Sequence, residues 1–156
     1  MTQTSAFPSA TGRFSLPMLF AGQAQKEFFV NEAHALTDIL LHACVEGESA
    51  FPPAEPREGE CWIVGASASG SWHGHDGEIA GYQAGNWLFI KPAVGMQIHD
   101  NAASQNLFYS NGWQRVPAMS PVEGGTTIDL EARNTIGRLI EALQTAKLLP
   151  PSAGND

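Results

Sequence analysis

One local pattern occurs twice in the middle of this chain and constrains its fold more than any other feature. An aromatic residue closes a short β-type run, a tight turn containing glycine follows, and a tryptophan opens the next run. The pattern reads Tyr82-Gln-Ala-Gly-Asn-Trp87 and again Tyr109-Ser-Asn-Gly-Trp113. Each copy predicts a β-hairpin, with Ala84-Gly85 and Asn111-Gly112 as the turns, because glycine and asparagine tolerate the left-handed backbone that such turns require. Around them lie the β-forming runs CWIVG, EIAGYQ, NWLFIKP, GMQIHD and NLFYSNGWQRV. The echo is too short to make a repeat architecture. It predicts a small antiparallel or barrel-like sheet domain over about residues 60–117.

Two helices flank this region. Ala33, Leu36, Ile39, Leu40, Ala43 and Cys44 recur at spacings of three and four, which marks one buried helix face. The spacing predicts a helix over about 31–45, with an earlier start left open, Asn31 as a candidate N-cap and Gly47 ending it. Towards the C-terminus, Ile136, Leu139, Ile140 and Leu143 form a second stripe within a helix over 128–149, capped by Asp129 or Thr127 and stopped by Pro150-Pro151. The fold class is therefore α+β.

The rest divides the chain. Residues 1–13 read as a small, polar arm, and 14–118 as the domain. Residues 119–127 read as a linker, 128–149 as an amphipathic helix available for assembly, and 150–156 as a polar tail. Within the domain, Pro17 makes FSLPMLF an extended segment, and FPPAEPREG is a connecting loop.

Charge limits the partners. Lys and Arg total 8 against 16 Asp and Glu, for a net charge of -8, and the cations are not clustered. A nucleic-acid groove or an anionic membrane surface needs clustered cations. No apolar run approaches a membrane span, and the N-terminus lacks the basic and apolar regions of a secretory signal. Only 15% of residues are charged, fewer than a free monomer usually carries, which points to surface covered by other chains. Cys44 and Cys61 have no metal-ligand spacing and read as two buried reduced thiols.

The stretch SWHGHDGEIAGYQ raises the possibility of a metal site, since a His-x-His pair with an Asp can ligate zinc or copper, with His99 or Glu78 as a further ligand. The glycines beside both histidines favour a turn instead, in which Gly74 and Gly77 take unusual backbone angles while His75 and Asp76 satisfy turn amides. No nucleophile elbow, phosphate loop or paired-acid arrangement stands out, so no catalytic residue and no cofactor is expected. The four tryptophans read mainly as sheet core. A second use is stacking on sugar rings, for which Trp72, Trp87 and Trp113, with Asn86 and Asn111 beside the turns, are the candidates.

The segment RFSLPMLFAGQAQKEFFVNEAHALTDILLHA, followed by PREGECWIVGASASGSWHGHDGEIAGYQAGNWLFIKP and the NGWQRV hairpin, resembles a phage-associated domain family over about residues 13–116. Its marks are an L-P-x-L…A-G-Q-A-Q-K-E…N-E-A motif, then G-x-x-W-x-G-H-x-G-x-I-A and a G-x-W hairpin. It has long been catalogued as a domain of unknown function, in tail-fibre and head-spike proteins of prophages and gene transfer agents. The resemblance implies a non-enzymatic virion component, made in the cytoplasm and built into a phage-like particle, with some members linked to attachment to cell-surface polysaccharide. A chain this short, with no repetitive shaft, then suits a base or adaptor that joins capsid or tail proteins to a longer spike or fibre protein. Such a part is a homo-oligomer, a trimer in a fibre or a pentamer at a capsid vertex, with the C-terminal stripe as its self-association surface. Binding of host polysaccharide by this chain itself, and a secreted glycan-active enzyme, are the two alternatives. The grouping of Gln23, Gln25, Lys26 and Glu27 suggests a buried polar network that locks the arm to the helix or to a neighbouring subunit.

Overall fold

The computed structural model describes residues 18–19, 26–120 and 129–151. The expected arm 1–13, Gln23, Gln25, most of the linker and the last five residues of the tail lie outside the described residues. The architecture is α+β: helix α1 (Lys26–Leu40), eight strands in two four-stranded sheets, and helix α2 (Leu130–Thr145). The strands are β1 (Cys44–Val45), β2 (Glu48–Ser49), β3 (Cys61–Val64), β4 (Ile79–Gln83), β5 (Asn86–Ile90), β6 (Gln97–Asp100), β7 (Gln105–Tyr109) and β8 (Trp113–Gln114). One sheet runs β1-β6-β7-β8 and the other β2-β3-β4-β5. Each is mixed: β1–β6 and β2–β3 are parallel, and the remaining pairs are antiparallel. The sheets do not close into a barrel.

Residues 43–49 stitch the sheets together. The first half of this segment receives backbone hydrogen bonds from the β6 side, His99 N to Ala43 O and Asn101 N to Val45 O, both 2.9 Å. The second half pairs with β3, where Ile63 N donates to Gly47 O and Gly65 N to Ser49 O. Cys44, expected at a helix end, is therefore in a strand. Helix α1 stops at Leu40, and His42 takes a left-handed φ of 53° that turns the chain into β1. Asn31 is not the N-cap. It lies inside α1, is 3% exposed, and its carboxamide clasps the backbone of Leu19 in both directions. The Leu19 amide donates to its oxygen at 2.8 Å, and its nitrogen donates to the Leu19 carbonyl at 3.0 Å. This is a lock between the helix and the preceding segment, made by Asn31.

Strand alternation gives the β2–β5 sheet two buried faces. Cys61, Ile63 and Ile79 point into a core shared with Ile39, Val45, Ile98 and Leu107. Trp62, Val64 and Ala80 point the other way, into a cluster with Ala68, Trp72, Trp87 and Phe89. On the first face α1 approaches so closely that a β-carbon on Gly81 would sit 2.3 Å from Ile39 Cδ1 and 2.7 Å from its Cγ1. Glycine at 81 is what lets helix and sheet touch. On the second face the long β3–β4 connection folds back over the sheet. Its single 3-10 turn, Gly70–Trp72, delivers the Trp72 ring, which is 0% exposed. Trp72 meets Trp87 edge to face with centroids 5.0 Å apart, and lies 6.4 Å from Trp62.

Asp129 caps α2 by accepting from the Ala132 amide at 2.9 Å. The helix ends at Thr145, before the prolines, in a Schellman motif: Leu148 N donates to Leu143 O and Lys147 N to Gln144 O. Lys147 occupies the left-handed position usually given to glycine, with φ 59°. It is tied to the body, because its carbonyl accepts from Asn106 N at 2.6 Å and its Nζ donates to Ser104 Oγ at 3.0 Å. No helix of the described residues is long and apolar enough to cross a membrane.

Candidate binding cleft between the sheets

The histidine-rich stretch forms a turn whose polar groups are used internally. Gly74 and Gly77 have φ of 85° and 79°, as that turn requires. Asp76 accepts from the amides of Ser67 at 2.9 Å and Ala68 at 3.1 Å. The Ala68 amide, then the Ser67 amide, hold its carboxyl below the usual range, helped by nearby His73. His75 does not satisfy a turn amide as the sequence suggested. Its ring stacks flat on Phe89, with centroids 3.6 Å apart and planes 5° from parallel, and its Nδ1 pairs with Glu78 Oε2 at 2.8 Å. Among the described residues no three His, Cys, Asp or Glu side chains come together as a metal-ligand group. Cys61 is a buried thiol whose Sγ donates to the Gly59 carbonyl at 3.5 Å.

The β3 entrance is pinned by Glu60. Burial acts most strongly on it and disfavours its charge, but the Arg57 amide, the Trp62 indole at 2.7 Å and the Arg57 side chain together outweigh that and lower its pKa. Glu58 accepts from Ala84 N at 2.8 Å and Gly85 N at 3.1 Å, which anchors the β4–β5 turn.

Between the two sheets, where the turn meets the β7–β8 hairpin, lies a cleft of about 390 Å³. Glu48, Asp76, Gly77, Tyr109, Trp113 and Arg115 line it. Trp113 is half-buried; its indole donates to Gly77 O at 3.1 Å and its ring lies edge to face with Tyr109, 5.1 Å away. Arg115 spans the sheets: one nitrogen donates to Glu48 Oε2 at 2.7 Å on β2 and another to Asp100 Oδ2 at 3.1 Å on β6. Asp100 is 2% exposed and its other oxygen accepts from Ala103 N, so the guanidinium is held on both sides. The result is an open concavity with aromatic rings, carboxylates and a fixed planar donor.

Of the five residues expected to contact sugar, only Trp113 lines this cleft, with Asn111 exposed at the hairpin tip next to the lining residue Gly112. Trp72 cannot stack on a ligand: the 3-10 turn buries it completely, which corrects that expectation. Trp87 is half-buried among Trp72 and Tyr82, and the Asn86 side chain donates to its own turn at Ala84 O, 2.9 Å. Sequence reasoning missed Glu48, Tyr109 and Arg115. The one available signal was Arg115, a rare cation directly after the second hairpin. On α2, Ile136 and Leu139 are 42% and 58% exposed, but Ile140 is 7% exposed and Leu143 is half-buried. Ile140 is thus buried within the chain itself, and the turn after α2 is tied to the body through Lys147.

No curated protein matches the chain. The profile of a family described as proteins of unknown function, DUF2793, matches residues 30–114. That span covers both sheets but begins after the Gln23–Glu27 motif. It is more than half of the 156 residues, and the chain belongs to this family.

Proposed function

We propose that this protein is a non-enzymatic structural component of a phage-like particle, a phage or a gene transfer agent. In this reading it is the base or adaptor of a head spike or tail fibre and supports attachment to host cell-surface polysaccharide. The observation that carries the reading is the division between a body whose polar groups act as pins and a C-terminal helix with an apolar edge in water. Burying a large aliphatic side chain is worth roughly 1.5–3 kcal/mol, so Ile136 and Leu139 favour a neighbour, and copies of the same helix around a symmetry axis supply one. Glu60 and Asp76 are held ionised below their usual range, the opposite of what a glycosidase acid needs. The particle setting of this reading comes from the resemblance of the chain's motifs to a family found in tail-fibre and head-spike proteins.

Mass spectrometry and imaging of purified particles test the proposal. The expected result is this chain in intact particles at a fixed copy number. Its absence from intact particles would remove the reading. Turnover of host capsule by the pure protein would instead favour the enzyme alternative.

A further inference from the structure

We infer that the cleft between the sheets is a binding site for a single pyranose unit of a glycan, neutral or amino-bearing rather than acidic. This rests on the attachment reading above and names the ligand class and the place. A volume of about 390 Å³ lies near the lower end of ordinary ligand pockets, the range suited to one ring rather than a chain. Trp113 and Tyr109, edge to face at 5.1 Å, supply apolar surface for the C–H face of a sugar. Donors and acceptors surround them. The Arg115 guanidinium is fixed by two carboxylates at 2.7 and 3.1 Å, so it is already oriented when a hydroxyl arrives. Glu48, whose side chain is 41% exposed, presents a carboxylate oxygen that sugar hydroxyls can donate to, while Asp76, both of whose oxygens already accept turn amides, adds negative charge at the rim.

Charge sets the selectivity. Glu48 and Asp76 face the space directly, whereas the single guanidinium is matched by Glu48 and by Asp100 behind it. A uronic acid would bring a further negative charge into this field. An ammonium-bearing sugar would meet carboxylates and aromatic faces, both of which favour a cation. The arrangement joins residues far apart in sequence, Glu48 and Arg115 being 67 apart, so it exists only in the folded chain.

The test is an NMR titration of the full chain, following the Trp113 indole N–H and the Gly77 and Gly112 amides. The probes are methyl glycosides of glucose, galactose and mannose, with glucosamine and glucuronate. Saturable shifts at these three positions are expected with at least one neutral glycoside and with glucosamine, and binding about tenfold weaker with glucuronate. Tyr109→Ala lowers affinity about tenfold. Glu48→Gln keeps the shape and narrows the gap between glucosamine and glucuronate, which guards against a Tyr109 variant that fails to fold. Shifts centred on Trp87 and Tyr82, no saturable shift with any probe, or glucuronate binding as tightly as glucosamine would each overturn the assignment. Particle composition is read separately. A chain present in particles whose cleft binds no sugar removes this site and leaves the structural reading intact; a chain that binds sugar but is absent from particles does the reverse.

Discussion

In the two-sheet body, Ile63, Ile79 and Leu107 are each at most 1% exposed, while on α2 Ile136 and Leu139 are 42% and 58% exposed. Both sets arise from runs or stripes of apolar residues, read from sequence as core in the body and as a self-association stripe on α2. The difference is what the rest of the chain brings to them. In the body, both faces of the β2–β5 sheet are covered, one by α1 and the second sheet, the other by the loop that carries Trp72. At α2, only the Ile140 edge and the last turn are drawn in, through Lys147. Periodicity tells which side chains want partners; topology decides whether the chain supplies those partners itself.

The sharpest way to break this comparison is inside the body. Trp72→Ala removes the largest fully buried side chain and is expected to cost about 3–5 kcal/mol, seen as a large fall in the urea midpoint. Loss of less than a quarter of that would mean the aromatic face is not a core. Next comes Gly81→Ala, which drives a methyl group into Ile39. Overpacking of this kind costs about 1–3 kcal/mol, measured by thermal melting, and Ile39→Val in the same chain should recover part of the loss.

Smaller effects come from the pins. Asp76 and Glu60 have folded pKa values below their ordinary 3.8 and 4.5. A depressed carboxyl stabilises fully above its unfolded pKa and loses that contribution as pH falls through the folded value. Stability should therefore be flat above pH 5 and decline below about pH 4, and Asp76→Asn should flatten the decline. The smallest expected effect on the fold of the single chain is that of Leu139→Lys, whose position is exposed there, so the circular dichroism spectrum should stay unchanged even where assembly is lost.

Much of the body was legible in the sequence because its cues are local. Strands β3, β4 and β5 fall within short runs of β-forming residues, and Ala84 and Gly85, with φ of 52° and 77°, form the turn their residue types predict. The second hairpin was legible too, although Tyr109 pairs with Trp113 across three residues rather than two. Strands β1 and β2 were not legible: each is two residues long and exists through parallel pairing with a distant strand. Of the two readings of Trp72, core and sugar stacking, packing selects the core: the segment is a loop in sequence, and its 3-10 turn buries the ring. Asn31 was misplaced because its partner is the backbone of Leu19, which carries no side-chain signal. The cleft was only partly visible, through Trp113, because its polar side comes from β2 and from the residue after β8.

Light scattering on the full chain, beside an Ile136→Lys/Leu139→Lys double variant of matched circular dichroism, reads assembly through α2. A trimer or pentamer is expected for the parent chain and a single-chain mass of about 16.7 kDa for the variant, with the sheet body intact. A parent chain that is already a single-chain species, or a variant that keeps the parent's full mass, would contradict assembly through α2.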